Sequence, residues 1–165
     1  MASVRGEGDA KARSLGILCL ALVLTLSVWF AGTAAVPALI AQGLVTPGRA
    51  AWLTAAVQLG FVAGTLVSAV LSLADRIDGR RLFLGCALVA ACATLAQVLV
   101  APSGGTAILL RFVAGATMAG VYPVAMTLAA SWAQGDLGLL IGIVVGALTL
   151  GSALPHLIPS VLGSL

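Results

Sequence analysis

Residues 82–101, LFLGCALVAACATLAQVLVA, run for twenty positions without a charge. A helix rises about 1.5 Å per residue, so roughly 20 apolar residues cover the ~30 Å hydrocarbon core of a bilayer. The run lacks the strict apolar–polar alternation, about ten positions long, of a transmembrane strand. In lipid every backbone donor and acceptor must be paired internally, and a helix does this within one segment. Leu82 to Ala101 therefore reads as a membrane-spanning helix. It is bounded by a compact charged loop, Asp75 to Arg81, and by an uncharged turn, Pro102-Ser103-Gly104-Gly105.

Working outward, the same reading repeats on both sides. Residues 1–14 are polar, with Arg5, Glu7, Asp9, Lys11 and Arg13. Leu15 opens an apolar run to about Pro37, longer than the ~7–15 residues of a signal-peptide core. Further apolar runs follow it, which favours an uncleaved first span. Pro37, Gly43, Pro47 and Gly48 form a turn-rich connection. A second span covers about Ala50–Ala74, with Trp52 placed to sit at the interface. The fourth covers about Thr106–Ser131, the polar link Trp132 to Asp136 follows, and the fifth covers about Leu137–Ile158. The expected organisation is a tail, 1–14, and an all-α bundle of about five spans, 15–165.

Composition agrees. The chain has 165 residues, is 61% hydrophobic and only 8% charged. Soluble domains carry roughly 25% charged residues, so most of this surface faces lipid. The 20 glycines allow close helix packing in a medium that does not itself drive helices together. The net charge is +3, but the basic residues sit at span ends without interleaved aromatics, which points away from nucleic acid. Cys19, Cys86 and Cys92 lie within apolar runs at spacings that match no zinc or haem pattern. Arg5, Lys11 and Arg13 share a side with Arg76, Arg80 and Arg81, while the other side has Arg49, with Arg111 near a helix end on that side. Positive residues collect in the cytoplasm, so the N-terminus and the Asp75–Arg81 loop are expected there, in a cell-membrane protein.

The loop Leu73-Ala74-Asp75-Arg76-Ile77-Asp78-Gly79-Arg80-Arg81 resembles the Gly-x-Leu-Ala-Asp-Arg-x-Gly-Arg-Arg loop between the second and third helices of the major facilitator superfamily. Two departures stand out. Leu71 replaces the leading glycine, and Ile77-Asp78 occupies the place of one residue. The resemblance implies that Asp75, Arg76, Gly79, Arg80 and Arg81 form part of an inner gate, made by charge-assisted hydrogen bonds that open during transport. Without the resemblance, the arginines are topology anchors. Arg111 to Thr117 resembles the superfamily's Arg-x-x-x-Gly-x-Gly pattern, with Gly115 in place and Thr117 replacing the second glycine.

Arg111 is the only charge inside a span, and a charge there is a functional candidate by default. The alternative is that it snorkels to the nearby headgroups. Gly142-x-x-x-Gly146 and Gly151 give the fifth span a small face for packing. They match the superfamily's antiporter motif only weakly, because Ala147 and Leu150 replace its proline and a glycine. Trp29, Gln58, Tyr122 and His156 are further candidates to line a solute cavity, each with packing as the competing explanation. No Asp or Glu falls within a span, so a titrating carboxylate for proton coupling is absent from this sequence, and Arg111 tilts the expected solute toward an organic anion.

The resemblance implies two six-helix bundles with solute bound between them at the midplane. On that basis this chain reads as an incomplete first bundle, partnered by lipid, a small solute and a missing C-terminal bundle. The expected function is secondary transport by alternating access. A small non-transport membrane subunit acting by helix packing or oligomerisation is the other reading. No catalytic set, metal spacing, phosphate loop or cofactor fingerprint is present.

Overall fold

A computed structural model of the chain describes the backbone of residues 2–162 and the side chains of residues 8–157; the side chains of Arg5, Glu7 and Ile158 lie outside the described residues. The elements are α1 (Ala2–Ala34), α2 (Val36–Ala41), α3 (Pro47–Val70), α4 (Leu73–Arg76), α5 (Gly79–Ala96), α6 (Gly105–Thr117), α7 (Tyr122–Ser131) and α8 (Leu137–Leu162). Short 3-10 turns at Gln97–Leu99 and Met118–Gly120 extend α5 and join α6 to α7. Among the described residues five helices are long and apolar enough to cross a membrane: Gly8–Ala41, Pro47–Val70, Gly79–Leu99, Gly105–Ser131 and Leu137–Leu157.

Several boundaries differ from the sequence reading. The polar N-terminal stretch is helical from Ala2, because no proline interrupts its entry into the apolar run. Pro37 lies inside a helical segment, α2, and not in a loop. Its missing N–H leaves the Thr33 carbonyl without the usual i+4 donor, which accounts for the break between α1 and α2. The chain turns later, at Gly43, whose φ of 68° suits glycine. Thr46 then caps α3, accepting from the Arg49 N–H at 3.3 Å, with Pro47 in the first turn.

The spans pack as two main pairs, α1 with α8 and α3 with α6, with α5 laid against α6 and α1. Leu22, Val121 and Val144 are fully buried at the centre, joined by Leu18, Leu26, Phe83, Met118 and Ala125. Large apolar side chains such as Val70, Val98 and Leu99 are more than 80% exposed. In a membrane these face acyl chains, which is why so apolar a surface is stable.

Small residues set the closest approaches. A Cβ added at Gly60 or Gly64 would collide with the backbone of Phe112 or Ala116, and one at Gly115 with the backbone of Val57. A Cβ at Gly151 would fall 2.7 Å from Leu26 Cβ, and Ser27 donates to the Gly151 carbonyl at 3.1 Å across the same contact. Gly142 and Gly146 behave differently. Both are exposed, and an added Cβ at either meets no atom within 4 Å. The close packing expected there is not made within the chain, because α8 turns the Gly151 side of its surface toward α1. The small-xxx-small pair that packs is Gly60 and Gly64 on α3.

At the end carrying the N-terminus, Lys11 pairs with Asp136 at 2.6 Å. The hydrogen bond from Lys11, followed by that from the Gln134 N–H, holds the Asp136 carboxyl below its ordinary value. A lowered carboxyl in the folded state stabilises above the ordinary aspartate range and stops doing so as pH falls through the lowered value. The pair is solvent-accessible, so its contribution is small. The expected result is local: Asp136→Asn at neutral pH should raise amide exchange at the start of the first span. In the unaltered chain only acidification to below the ordinary aspartate range should release the same segment.

Candidate functional site

Halfway along the bundle the fourth span breaks. Pro123 removes one backbone donor, and the chain passes through the 3-10 turn Met118–Gly120 before α7 begins at Tyr122. The break leaves Tyr122 40% exposed at mid-depth while its neighbour Val121 is fully buried. Irregular backbone at membrane depth is tolerated where it is buried in protein or borders a cavity.

A cavity of about 310 Å³ lies at that break. It is lined by Leu26, Trp29 and Phe30 from α1, Gln58 and Phe61 from α3, Met118 and Tyr122 from the fourth span, and Leu148, Thr149 and Ser152 from α8. Gln58 is near the centre of α3, so the lining sits close to the midplane. The walls are aromatic, with neutral hydrogen-bonding groups from Gln58, Tyr122, Thr149 and Ser152, and no charged side chain. Trp29 meets Phe30 edge to face, with ring centres 4.7 Å apart and planes at 81°. The Trp29 indole N–H is buried without a partner, an unmet donor beside the cavity.

Three of the expected solute residues, Trp29, Gln58 and Tyr122, therefore meet on one cavity. His156 is near its rim, 6.2 Å from the Phe30 ring, with Nδ1 3.1 Å from the Ser152 carbonyl. Arg111 is elsewhere. It is 3% exposed and lines a separate cavity of about 420 Å³ toward the opposite end of the bundle from Lys11 and Asp136. Its guanidinium is buried among the helices, packed against Gly32 in α1.

The Asp75–Arg81 loop is at the Lys11 end. Ser72 adopts the left-handed conformation, φ 49°, and starts the single turn of α4, which carries Asp75 and Arg76. Asp78, the extra residue of the sequence pattern, caps α5 by accepting from the Arg81 N–H at 3.2 Å. Gly79 follows, and a Cβ there would sit 3.4 Å from Val124 of α7. Asp75 borders a further cavity with Ser72, Thr127 and Ser131, while Arg80 lines a groove with Phe83, Leu128 and Trp132. Asp75, Arg76, Arg80 and Arg81 are all exposed, and none forms an ion pair among the described residues. Among those residues no group of His, Cys, Asp and Glu could hold a metal.

The family model of the Major Facilitator Superfamily matches residues 17–165. The chain belongs to this superfamily. It is a multi-pass membrane protein of a family of secondary transporters, built from helices alone among the described residues. No curated protein and no solved structure matches it at a significant level. The sequence patterns singled out the loop and Arg111. They missed Gly60 and Gly64, whose four-residue spacing was visible, and Thr94, whose hydroxyl is buried without a partner beside the Arg111 cavity.

Proposed function

We propose that this chain supplies one wall of an alternating-access transporter for a small solute, bound at the midplane cavity by Trp29, Gln58 and Tyr122. The observation that carries this reading is the cavity itself. Four spans contribute to it, it lies at the broken fourth helix, and it combines aromatic faces with neutral donors and acceptors. Small-molecule sites have this make-up: apolar walls and a few placed polar groups. The cavity is open on one side, so a facing bundle, from the same gene product or a second copy, completes it. His156 acts at the rim.

The Asp75–Arg81 loop serves as the inner gate of that assembly, in the cytoplasm of a cell whose plasma membrane holds the protein. Its charges are exposed and form no ion pair among the described residues, which supports this, since such groups can pair across the gap. The positive residues at the same end support the orientation.

The test is uptake into proteoliposomes reconstituted with the natural gene product, over a panel of neutral and anionic small solutes. Saturable uptake of at least one is expected; none across the panel sinks the reading. Asp75→Ala should lower turnover about tenfold, the scale of one charge-assisted hydrogen bond, with membrane insertion unchanged. Unaltered kinetics in that variant would remove the gate role and leave the cavity standing.

A further inference from the structure

The second cavity poses a problem of charge. Arg111 is six residues, roughly 9 Å, along α6 from Gly105, within the apolar region. A guanidinium keeps its proton in proteins, so a full positive charge is buried there. Its neighbours do little to balance it. Nη1 is 3.4 Å from the Thr33 hydroxyl, and Nε is buried with no partner. Among the described residues no carboxylate pairs with it. The described acidic residues, Asp9, Asp75, Asp78 and Asp136, all lie at the Lys11 end of the bundle. An unpaired charge in such a place is costly by several kcal/mol in general, and native structures rarely leave one.

The space beside it is shaped for an answer. The cavity of about 420 Å³ lies between α1, α3, α5 and α6, and its polar lining is Arg111, Thr94 and Gln97. The Thr94 hydroxyl is a second buried group with no partner. Two unmet donors from different helices, one of them charged, border a single cavity. A cation is repelled there. Water satisfies the hydrogen bonds but leaves the charge. An oxyanion satisfies both.

We infer that this cavity is an oxyanion-binding site, with Arg111 as the charged ligand and Thr94 as a second donor. It takes a carboxylate or a phosphate group, and the apolar remainder of its lining, including Leu39, Leu53 and Pro102, suits an apolar body attached to that group. It is separate from the midplane cavity, to which α5 contributes no side chain. The same chemistry reaches it from two sources: a free anion from the aqueous phase, or the phosphate of a lipid headgroup from the adjoining leaflet.

The experiment follows thermal unfolding of the full chain. One arm uses delipidated protein in a neutral detergent, titrated with inorganic phosphate or acetate at constant ionic strength. The other compares phosphatidylcholine nanodiscs with and without phosphatidylglycerol. A saturable rise in midpoint with the free anions assigns the site to a soluble ligand; a rise confined to phosphatidylglycerol discs assigns it to lipid. Either supports the site. Arg111→Gln should abolish the rise, and Thr94→Val should weaken the apparent affinity about tenfold while leaving the ligand-free midpoint unchanged. No rise in either arm overturns the inference, as does an equal rise in Arg111→Gln. Should Arg111→Gln fail to fold, Thr94→Val decides: unchanged affinity in that variant overturns it too.

Discussion

Gly115→Leu is expected to dismantle the bundle. In lipid the apolar effect does not hold helices together, so association rests on close van der Waals packing and hydrogen bonds across the seam. Gly115 is where α6 touches the backbone of Val57 in α3, and Gly60 and Gly64 return the contact onto Phe112 and Ala116. Even a single Cβ has no room at any of the three. A leucine there pushes the axes apart along the whole pair, and the cost is on the order of 3 kcal/mol, the top of the usual range for overpacking. The measurement is the monodisperse fraction in mild detergent and the unfolding midpoint of what remains. Gly142→Leu is the matched control, because nothing lies within 4 Å of its Cβ, and it should change stability by no more than about 0.5 kcal/mol. Wild-type behaviour of Gly115→Leu would mean that α3 and α6 do not meet in this way.

The second large effect is functional. Trp29→Ala and Tyr122→Ala each remove an aromatic face from the midplane cavity, and Tyr122 is exposed enough that its loss opens no hole in the core. An aromatic face against a solute is worth roughly 1–3 kcal/mol, so each substitution should lower solute affinity about 10- to 100-fold. Tyr122→Phe should retain most of that binding if stacking dominates. The reading is checked by solute competition with the natural gene product in liposomes, alongside melting curves. Loss of affinity with an unchanged midpoint supports direct contact. A lowered midpoint with unchanged affinity would assign both residues to packing.

Hydropathy and charge placement carried much of this protein on their own. Five apolar runs of sufficient length permit little except five helices, because backbone groups in lipid must be paired within the segment. The order of residues in the Asp75–Arg81 loop was enough for the family, and the family model agrees over residues 17–165. Boundaries were less legible. Pro37 reads as a turn in one dimension, yet its missing N–H only separates α1 from α2; in the first turn of α2 no donor is required of it, so the helix continues past it. Asp78 looked like an insertion and is a helix cap.

What the tertiary structure alone decided is which small and polar residues face each other. Gly60 and Gly142 have the same spacing to a second glycine, but only rotation of each helix about its axis settles which pair meets a neighbour, and that rotation depends on every other contact in the bundle. For the same reason Arg111, Trp29, Gln58 and Tyr122 formed one group of candidates in the sequence. Folding put three of them on a midplane cavity and buried Arg111 in another, against Gly32 and Thr33. A linear chain records that a charge is inside the membrane; only the packed helices show that, among the described residues, no carboxylate packs against it.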